Sequence, residues 1–494
     1  MAEEIELKLA LPQQARRALA RHPLLALAQE LPGERLVNVY YDTRQQELRA
    51  RGVALRLRRQ GRRWLQTVKC AGVSAGGLSA RPEWEQPYAG RFDFDAIEDR
   101  RLARWLERRH AEGRLQPVFE TVFRRRSWRV EREGSVVAAM LDEGLIRAAE
   151  RRSPICELEL ELAAGEPADL FAIAAELAAS LPLKPEPLSK AQRGYLLAAG
   201  ESLPPATQAP VTLDPATPVH EAFRRILQAC LATLQANEAG AAQGLDPEYV
   251  HQMRLALRRM RSALRIFSGL LPAGDLPGLV SRLHSLADTL GEARDWDILA
   301  ADVLAPVVAG FPADPRLAAL ARAVGERRAK AGAAVAQALA DPTYGRLLIA
   351  VGALANPRQP SDAHPEPLRE FAQRAIARLA RRTRLRAGRA SANDPVSLHR
   401  LRIAVKRWRY ALEFFAGLLP RHAVRLGRLI RLQSRLGALH DLATAGARLA
   451  ACSGNDPTLR EAVALAGGWH GPRYRRILKR LPDAIAALAK AGRG

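Results

Sequence analysis

Apolar and polar residues alternate over short segments in the first 200 residues, which predicts β-strands. Residues 4–8 read EIELK and residues 157–162 read ELELEL. Because successive side chains of a strand point to opposite faces, the carboxylates of each segment share one face. Two acidic strands on one sheet could share a hard cation, since carboxylate oxygens suit Mg²⁺ or Mn²⁺. The alternative is a pair of amphipathic strands whose polar faces meet solvent.

Charged residues between these two segments favour a shared interior over a solvated face. Most of them follow the same period of two: Arg56, Arg58, Lys69, Glu83, Glu85, Arg124, Arg126, Asp142 and Lys190. A face lined by both signs of charge is typical of a concave or closed sheet that holds a polyanion and its metal. Arginine offers phosphate oxygens a planar fork, and lysine offers a point charge.

The second half of the chain has helical periodicity and contains a basic stripe. Five residues form this stripe: His251, Arg254, Arg258, Arg261 and Arg265. At the α-helical period they span about 80° of one helix surface. The same spacing recurs 148 residues later in His399, Arg402, Lys406 and Arg409.

A second pair of similar segments follows the two stripes. Residues 290–295 read LGEARD and residues 436–441 read LGALHD, which places Arg294 opposite His440. The sequence therefore predicts an internal duplication of two related helical bundles.

Charge is concentrated in this helical half. Residues 201–494 contain 43 Lys and Arg against 24 Asp and Glu, in a chain whose net charge is +24. Such an imbalance implies an acidic partner, which could be nucleic acid, an anionic membrane surface or polyphosphate. Enrichment of Arg and Ala in a protein from a GC-rich genome is the alternative explanation.

The motifs of the first half together resemble the CYTH domain, the triphosphate-tunnel metalloenzyme fold. In chain order they are Glu4-x-Glu6-x-Lys8, Tyr41-Asp42-Thr43, Leu55-Arg56-Leu57-Arg58, Thr67-Val68-Lys69, Glu83-x-Glu85, Glu157-x-Glu159-x-Glu161 and Ser189-Lys190. The resemblance implies an eight-stranded antiparallel β tunnel with flanking helices. It also implies binding of a linear triphosphate and a divalent metal, Mg²⁺ or Mn²⁺, that promotes its hydrolysis or rearrangement.

The same resemblance implies a role for individual residues. Metal contacts are expected from Glu4, Glu6, Glu157, Glu159 and Glu161, and from Asp142, which could equally begin a turn. Phosphate contacts are expected from Lys8, Arg56, Arg58, Lys69, Arg124, Arg126 and Lys190. The expected catalytic residues are Glu4, Glu6, Lys8 and Glu159.

Triphosphate hydrolysis requires charge neutralisation and an attacking oxygen in line with the leaving group. Arginine and lysine supply the first requirement, and a metal or a carboxylate can position the water. No serine, cysteine or histidine nucleophile accompanies the motifs, so we expect direct attack by water.

The duplicated helices that begin with histidine resemble the CHAD domain, which implies polyphosphate binding in a basic channel between the two halves. The residues expected to contact polyphosphate are His251, Arg254, Arg258, Arg261, Arg265, Arg294, His399, Arg402, Lys406, Arg409 and His440. Further charge is available from Arg381, Arg382, Arg384, Arg386 and Arg389, and from the run between Arg473 and Arg480. Nucleic acid is the competing ligand. Aromatic residues make up only 5% of the chain and do not interleave with basic residues, which disfavours single-strand binding.

These patterns predict an α+β multidomain protein. We expect a β tunnel domain at residues 1–200, a Pro-rich linker at 201–218 and an all-α duplicated domain at 219–490. The helical repeats are expected at about 219–355 and 366–490, separated by a proline-rich interruption from Pro357 to Pro367.

The four cysteines are far apart and favour a reducing compartment without disulfides. The N-terminus lacks a secretory leader pattern, and no segment offers eighteen uninterrupted apolar residues. We therefore expect a cytoplasmic protein without a membrane partner. Association with polyphosphate granules and the oligomeric state stay open.

Three functional hypotheses follow. The first is metal-dependent hydrolysis of inorganic triphosphate to phosphate and diphosphate, with polyphosphate bound by the helical half. The second is an enzyme of the same fold that acts on an organic triphosphate, as a thiamine triphosphatase or an adenylate cyclase. The third is a non-catalytic polyphosphate-binding scaffold, which the complete set of charged residues disfavours.

Overall fold

The computed structural model describes residues 3–271, 276–358 and 366–490. The chain divides into two compact units. The first comprises residues 1–204 together with 340–359, and the second comprises residues 205–339 together with 360–494.

The strands all belong to the first unit. In chain order they are β1 (Glu3–Ala10), β2 (Gln29–Asp42), β3 (Val53–Gln60), β4 (Arg63–Cys70), β5 (Val73–Ala75), β6 (Leu78–Pro87), β7 (Gln116–Arg132), β8 (Ser135–Ala148), β9 (Arg151–Ala164) and β10 (Lys184–Pro185).

The helices occur in both units. In chain order they are α1 (Arg16–Ala20), α2 (Pro23–Ala26), α3 (Glu47–Ala50), α4 (Arg100–Ala111), α5 (Pro167–Ser180), α6 (Lys190–Ala199), α7 (Val219–Ala236), α8 (Glu238–Gln243), α9 (Pro247–Ile266), α10 (Leu276–Ile298), α11 (Ala305–Gly310), α12 (Pro315–Ala340), α13 (Pro342–Ala355), α14 (Leu368–Gly388), α15 (Pro395–Phe414), α16 (Ala423–Ser453) and α17 (Pro457–Lys490). A π-helical turn at Leu299–Leu304 separates α10 from α11.

Eight of the strands form a closed antiparallel barrel. Their order is β1-β9-β8-β7-β2-β3-β4-β6, and β6 pairs with β1 to close the ring. The short strands β5 and β10 add to β6 and β1 respectively. Closure removes free sheet edges and leaves an interior that is lined by every second residue of each strand. The expected eight-stranded tunnel is confirmed.

The apolar faces of β1 and β9 pack against helix α5 on the outside of the barrel. Leu7 and Leu158 are fully buried in this cluster with Phe171 of α5. Each fully buried leucine contributes about 1.5–3 kcal/mol. Because side chains alternate, this packing turns the charged residues of both strands into the barrel.

Helix α13 completes the same hydrophobic cluster. Its residue Ile349 is buried against α5, and Gly352 lies against the ring of Phe171. Beyond the helix, Arg358 pairs with Asp169 and Glu133. The predicted repeat from 219 to 355 counted this helix with the helical half, whereas the structure packs it in the first unit.

The second unit is helical, as expected. Helix α9 packs on α7 and α10, while α15 packs on α14 and α16. The two halves show matching aromatic contacts: Phe223 lies 5.3 Å from Phe267, and Phe371 lies 6.3 Å from Phe415 between ring centroids. These contacts support the predicted duplication.

Two connections were expected from proline content, at residues 201–218 and from Pro357 to Pro367. No helix or strand is assigned between α6 and α7, at residues 200–218. In the interruption from Pro357 to Pro367, residues 359–365 lie outside the described part of the chain. No helix among the described residues combines the length and the apolar character needed to cross a membrane.

Candidate active site and basic helices

A cavity of about 600 Å³ occupies the interior of the barrel. Its walls contain charged residues of both signs from six of the strands and from α6. They are Glu4, Glu6, Lys8, Arg56, Arg58, Lys69, Arg81, Glu83, Glu85, Arg125, Glu159, Glu161 and Lys190. Most of the residues expected to act on triphosphate thus share one interior.

One wall of the cavity is acidic and combines β1 with β9. Glu6 faces Glu161 in the strand register. Lys69 Nζ donates to both carboxylate oxygens of Glu4, at 2.8 and 2.9 Å, and Arg81 Nη2 donates to Glu6 at 2.7 Å.

Glu161 differs from the other two carboxylates because no ion pair is seen for it within the described chain. Burial raises its pKa, and the negative charges of Glu4 and Glu6 raise it further, while Lys69 opposes them. Glu161 is therefore the one of these three carboxylates without a paired cation in the described chain.

Lys190 lies at the centre of a second group of carboxylates. Its ammonium is 2.7 Å from Asp142, 2.5 Å from Glu157 and 2.9 Å from Glu159. Burial lowers the pKa of Lys190, but these three carboxylates outweigh burial and raise it overall. Burial likewise raises the pKa of Glu159, but Lys190 and Arg125 hold it well below its usual value.

The contacts of Lys190 affect which of the expected carboxylates could bind a metal. Asp142, Glu157 and Glu159 offer oxygens within 4.8 Å of one another, as a metal site would. However, the Lys190 ammonium already contacts all three, and Asp142 and Glu157 do not line the cavity. The group most open to a divalent cation is instead Glu161 with Glu4 and Glu6, because all three line the cavity, Glu161 has no ion pair in the described chain, and carboxylate oxygens suit Mg²⁺ or Mn²⁺.

The arginine of β7 that lines the cavity is the residue between the two that were expected to do so. Arg125 lines the cavity, and its guanidinium donates two hydrogen bonds of 2.7 Å to the carboxylate of Asp142. Arg124 is exposed, and Arg126 pairs with Glu30 outside the cavity. The expectation that Arg124 and Arg126 reach the tunnel is therefore wrong, because strand alternation places their side chains on the opposite face.

Arg81 is a further cavity residue that the sequence reasoning missed. It precedes Glu83 and Glu85 at the same period of two on β6, so this alternation was a usable signal. For Arg125 the signal was weaker, because residues 124–126 are three consecutive arginines. Only the register of the strand separates the inward arginine from its neighbours.

The wall formed by β3 is cationic. Arg56 is buried, and its Nε and Nη2 atoms make no hydrogen bond within the described residues. Its closest carboxylate contact is Glu83 at 3.7 Å. Burial and the charge of Arg56 lower the pKa of Arg58 to about 10, which leaves this residue protonated at neutral pH. An anion would supply the missing acceptors.

The helical unit brings the two predicted basic stripes together. Burial lowers the pKa of Lys406 on α15 to about 6, and the charges of Arg258, Arg402 and Arg254 add to this effect. Nε of Arg258 and Nε of Arg402 are buried without a hydrogen-bond partner in the described chain. The three arginines thus lie close enough to disfavour the protonated form of Lys406.

The histidines of the helical unit and Arg409 have contacts of their own. The rings of His399 and His440 lie 5.6 Å apart, and burial lowers the pKa of both. Burial and the charge of Arg294 lower the pKa of His251. Arg409 is neutralised by Glu413 at 2.7 Å.

Two stripe residues, Arg261 and Arg265, lie towards the C-terminal end of α9. Burial, followed by the charge of Arg265, lowers the pKa of Arg261. The sequence reasoning missed the acidic neighbours of the stripes. Asp295 accepts a bond of 3.1 Å from Arg254, and Asp441 opposes the fall in the pKa of Lys406.

Comparison with known families agrees with both units. Residues 2–195 match the CYTH domain family, and residues 225–450 match the CHAD domain family. The chain is a CYTH–CHAD protein. The crystal structure of the CHAD domain from the plant Ricinus communis is similar, with a TM-score of 0.51 and 34% identity. The alignment covers 57% of this chain and 97% of that one.

Two curated proteins are also similar to this CYTH–CHAD chain. An inorganic triphosphatase of Haemophilus influenzae is 33% identical over 203 residues, which is 41% of this chain. An uncharacterised protein of Mycobacterium tuberculosis is 33% identical over 211 residues, which is 40% of this chain. The matches span 57% and 39% of the length of these two relatives.

Proposed function

We propose that the tunnel of this CYTH–CHAD protein hydrolyses inorganic triphosphate to phosphate and diphosphate with the help of Mg²⁺ or Mn²⁺. The observation that carries the proposal is the division of the cavity into two walls. The acidic wall has an unneutralised carboxylate, Glu161, and the cationic wall has buried guanidinium atoms of Arg56 without acceptors. A metal-bound linear phosphate would satisfy both walls.

Several cations would hold the phosphate chain. Arg56 and Arg58 offer planar forks from β3, and Arg125 and Lys190 approach from β7 and α6. Lys8 is buried beside Glu159, and its pKa is raised by Glu6 and Glu159 against the effect of burial. These side chains would neutralise the substrate and hold it in one orientation, which favours in-line attack.

The carboxylates Asp142 and Glu157 would act indirectly. Both are fully buried against Lys190, and Arg193 adds a contact of 2.9 Å to Glu157. They would fix the Lys190 ammonium at the cavity wall and keep it protonated. Their role would be positioning, and not contact with substrate.

Glu4, Glu6 and Glu161 would hold the divalent cation, with Glu159 at the edge of this group. The ion would supply charge neutralisation and activation of water. In the absence of a cation, burial and neighbouring carboxylates raise the pKa of Glu161, so a bound divalent cation would relieve the repulsion at this residue. Glu6 and Glu4 would stay ion-paired with Arg81 and Lys69 until a divalent cation competes for their carboxylates.

The inorganic triphosphatase of Haemophilus influenzae supports this substrate for the first unit. The test is side-by-side hydrolysis of inorganic triphosphate, ATP, thiamine triphosphate and long-chain polyphosphate with each metal. Preference for inorganic triphosphate supports the proposal. Preference for an organic triphosphate would favour the second hypothesis.

For the helical unit we propose binding of inorganic polyphosphate by the cations around Lys406. In the free protein, burial and the positive charges of Arg258, Arg402 and Arg254 lower the pKa of Lys406 to about 6, and a linear polyanion would favour its protonated form. Counterion release predicts that affinity falls steeply with salt. Binding measured at several salt concentrations, with duplex DNA as the competitor, tests this part. The proposal includes a cytoplasmic location, which the four free cysteines support.

A further inference from the structure

The cavity of the barrel changes in character at the rim where β3 begins and β4 ends. Gly52 and Ala71 lie just outside these two strands, and they line the cavity together with Ala54 of β3. The amide of Ala71 donates a hydrogen bond of 2.6 Å to the carbonyl of Gly52, and a Cβ atom on Gly52 would lie 2.6 Å from that of Ala71. The two segments thus approach closely, and these three residues offer a phosphate no side-chain donor.

The cationic wall stops short of this rim. Arg56 and Arg58 of β3 line the cavity, and Ala54 is the next residue towards the rim on the same face. Because a strand advances about 3.3 Å per residue, Ala54 lies about 7 Å beyond Arg56 along the strand. The row of arginines on β3 therefore ends one step before the rim.

Helix α6 and the residues that follow it cover the same end of the cavity. Ala54 packs against the hydrophobic cluster that contains Tyr195 of α6. The cavity lining continues here through Tyr195 and three leucines: Leu188, Leu196 and Leu203. Leu203 is 39% exposed although it lines the cavity, so its side chain lies between the cavity and solvent. An apolar side chain thus stands at the opening of this end.

The arginines at this rim are already paired with carboxylates. Arg49, whose guanidinium lies 5.7 Å from the ring of Tyr195, is paired with Glu201 at 3.3 Å. Arg81, whose Cβ atom lies beside Gly72 on the rim, is ion-paired with the acidic wall. The pair of Arg49 with Glu201 also holds the segment that contains Leu203 against α3.

We propose that Leu203 and this rim end the phosphate site, so that the tunnel discriminates against condensed phosphates longer than triphosphate. A further phosphate at the rim would leave water without gaining a cation or a side-chain donor, which is costly. Unmatched charge of this kind is one means of rejecting a wrong ligand. Leu203 is the specificity-determining residue, because its side chain lies where a longer chain would leave the cavity. The inference rests on the proposed triphosphatase function and deepens it.

Hydrolysis of linear tetraphosphate and of triphosphate by the full-length protein with Mg²⁺ tests the inference. The wild type should favour triphosphate about tenfold or more in kcat/KM. Leu203→Ala combined with Glu201→Gln opens the rim and frees Arg49, so this preference should shrink at least about fivefold. Leu31→Ala is the matched control, because Leu31 is also 39% exposed but does not line the cavity. Its preference should equal that of the wild type.

Glu201→Gln alone separates selectivity from a folding defect. Because the Glu201 side chain is largely exposed, we expect the melting temperature of this variant to match that of the wild type. The freed Arg49 should still raise kcat/KM for tetraphosphate relative to triphosphate. An unchanged ratio in both variants would overturn the inference, while triphosphate hydrolysis in the same assays would leave the proposed function in place.

Three other outcomes would overturn the inference. The first is a wild-type protein that hydrolyses triphosphate and tetraphosphate equally well, which leaves the proposed function standing. The second is a change in the double variant confined to ATP or thiamine triphosphate, measured in parallel, because the rim would then hold an organic group. The third is the absence of triphosphate hydrolysis in the wild type, which would overturn the proposed function as well.

Discussion

Glu6 on β1 and Glu161 on β9 are register partners inside the barrel, so two carboxylates meet on one wall of the cavity. Arg81 neutralises Glu6, while Glu161 has no ion-pair partner in the described chain and a pKa raised by burial and its acidic neighbours. The pair identifies the part of the tunnel where a divalent cation would be most strongly attracted. The first prediction concerns this position.

Glu161→Gln should lower metal-dependent hydrolysis of inorganic triphosphate by about 100-fold to 1,000-fold, comparable to losing a key electrostatic group. The substitution also removes like-charge repulsion, so the melting temperature without metal should not fall. Steady-state kinetics over a range of metal concentrations measure the effect. Glu120→Gln, at an exposed carboxylate of β7 paired with Arg147, is the control and should leave the rate unchanged.

The arginine register of β7 gives a second prediction. Arg125→Gln should lower kcat/KM by at least about 100-fold and destabilise the protein by about 3 kcal/mol, because it leaves the buried Asp142 without its fork. Arg124→Gln and Arg126→Gln, at the two adjacent positions, should stay within about twofold of the wild type. Equal losses at all three positions would mean that the strand is in another register.

The pKa of Lys406 gives a third prediction, on the dependence of stability on pH. Burial and nearby arginines lower the pKa to about 6 from the ordinary lysine value of 10.5. Between these two pH values the unfolded chain binds more protons than the folded chain, so this residue makes the free energy of unfolding rise with pH. Lys406→Met should remove that contribution. Denaturant unfolding of both proteins at pH 6 to 9 measures it.

Binding should show the opposite dependence on pH. An anion prefers the protonated lysine, so affinity for polyphosphate should fall as pH rises above about 6 at constant salt. The Lys406→Met variant should bind more weakly at pH 6 and show a smaller change with pH. Parallel binding curves for the two proteins across the range would exclude a role for this lysine.

Helix α13 gives a fourth prediction, on stability. Ile349→Ala leaves a cavity in the hydrophobic cluster that supports β1 and β9, and should cost about 2–4 kcal/mol in unfolding free energy. Ile430 on α16 is 40% exposed, so Ile430→Ala should cost less than about 0.5 kcal/mol and serves as the control. Similar losses for both variants would argue against tight packing of α13.

Alternation in the sequence was sufficient to predict the strands and most of their shared charged face, whereas the eight-stranded tunnel was implied by the resemblance of the motifs to the CYTH domain. Glu4, Glu6 and Lys8 follow it on β1, and Glu161 and Glu159, the register partners of Glu6 and Lys8, follow it on β9. Alternation was insufficient where neighbouring residues are identical, as at the three consecutive arginines of β7, because identical residues do not show which side chain faces the interior. Period also cannot reveal which charges neutralise each other.

The partners of individual residues and of helix α13 depend on tertiary packing. Lys190 was expected to contact phosphate and Asp142 to hold metal, but the structure pairs them with each other at 2.7 Å. An apolar helix such as α13 has the same pattern whether it packs on helices or on a barrel. Its place in the first unit could therefore not be read from the sequence.

The most direct test of the central claim is hydrolysis of inorganic triphosphate by the purified full-length protein, measured with Mg²⁺ or Mn²⁺, with a chelator, and for Glu161→Gln. We expect phosphate release that requires the metal, exceeds the rates with ATP and thiamine triphosphate, and falls about 100-fold or more in the variant. Hydrolysis that persists with the chelator, or that Glu161→Gln leaves unchanged, would contradict a metal-dependent site at Glu161.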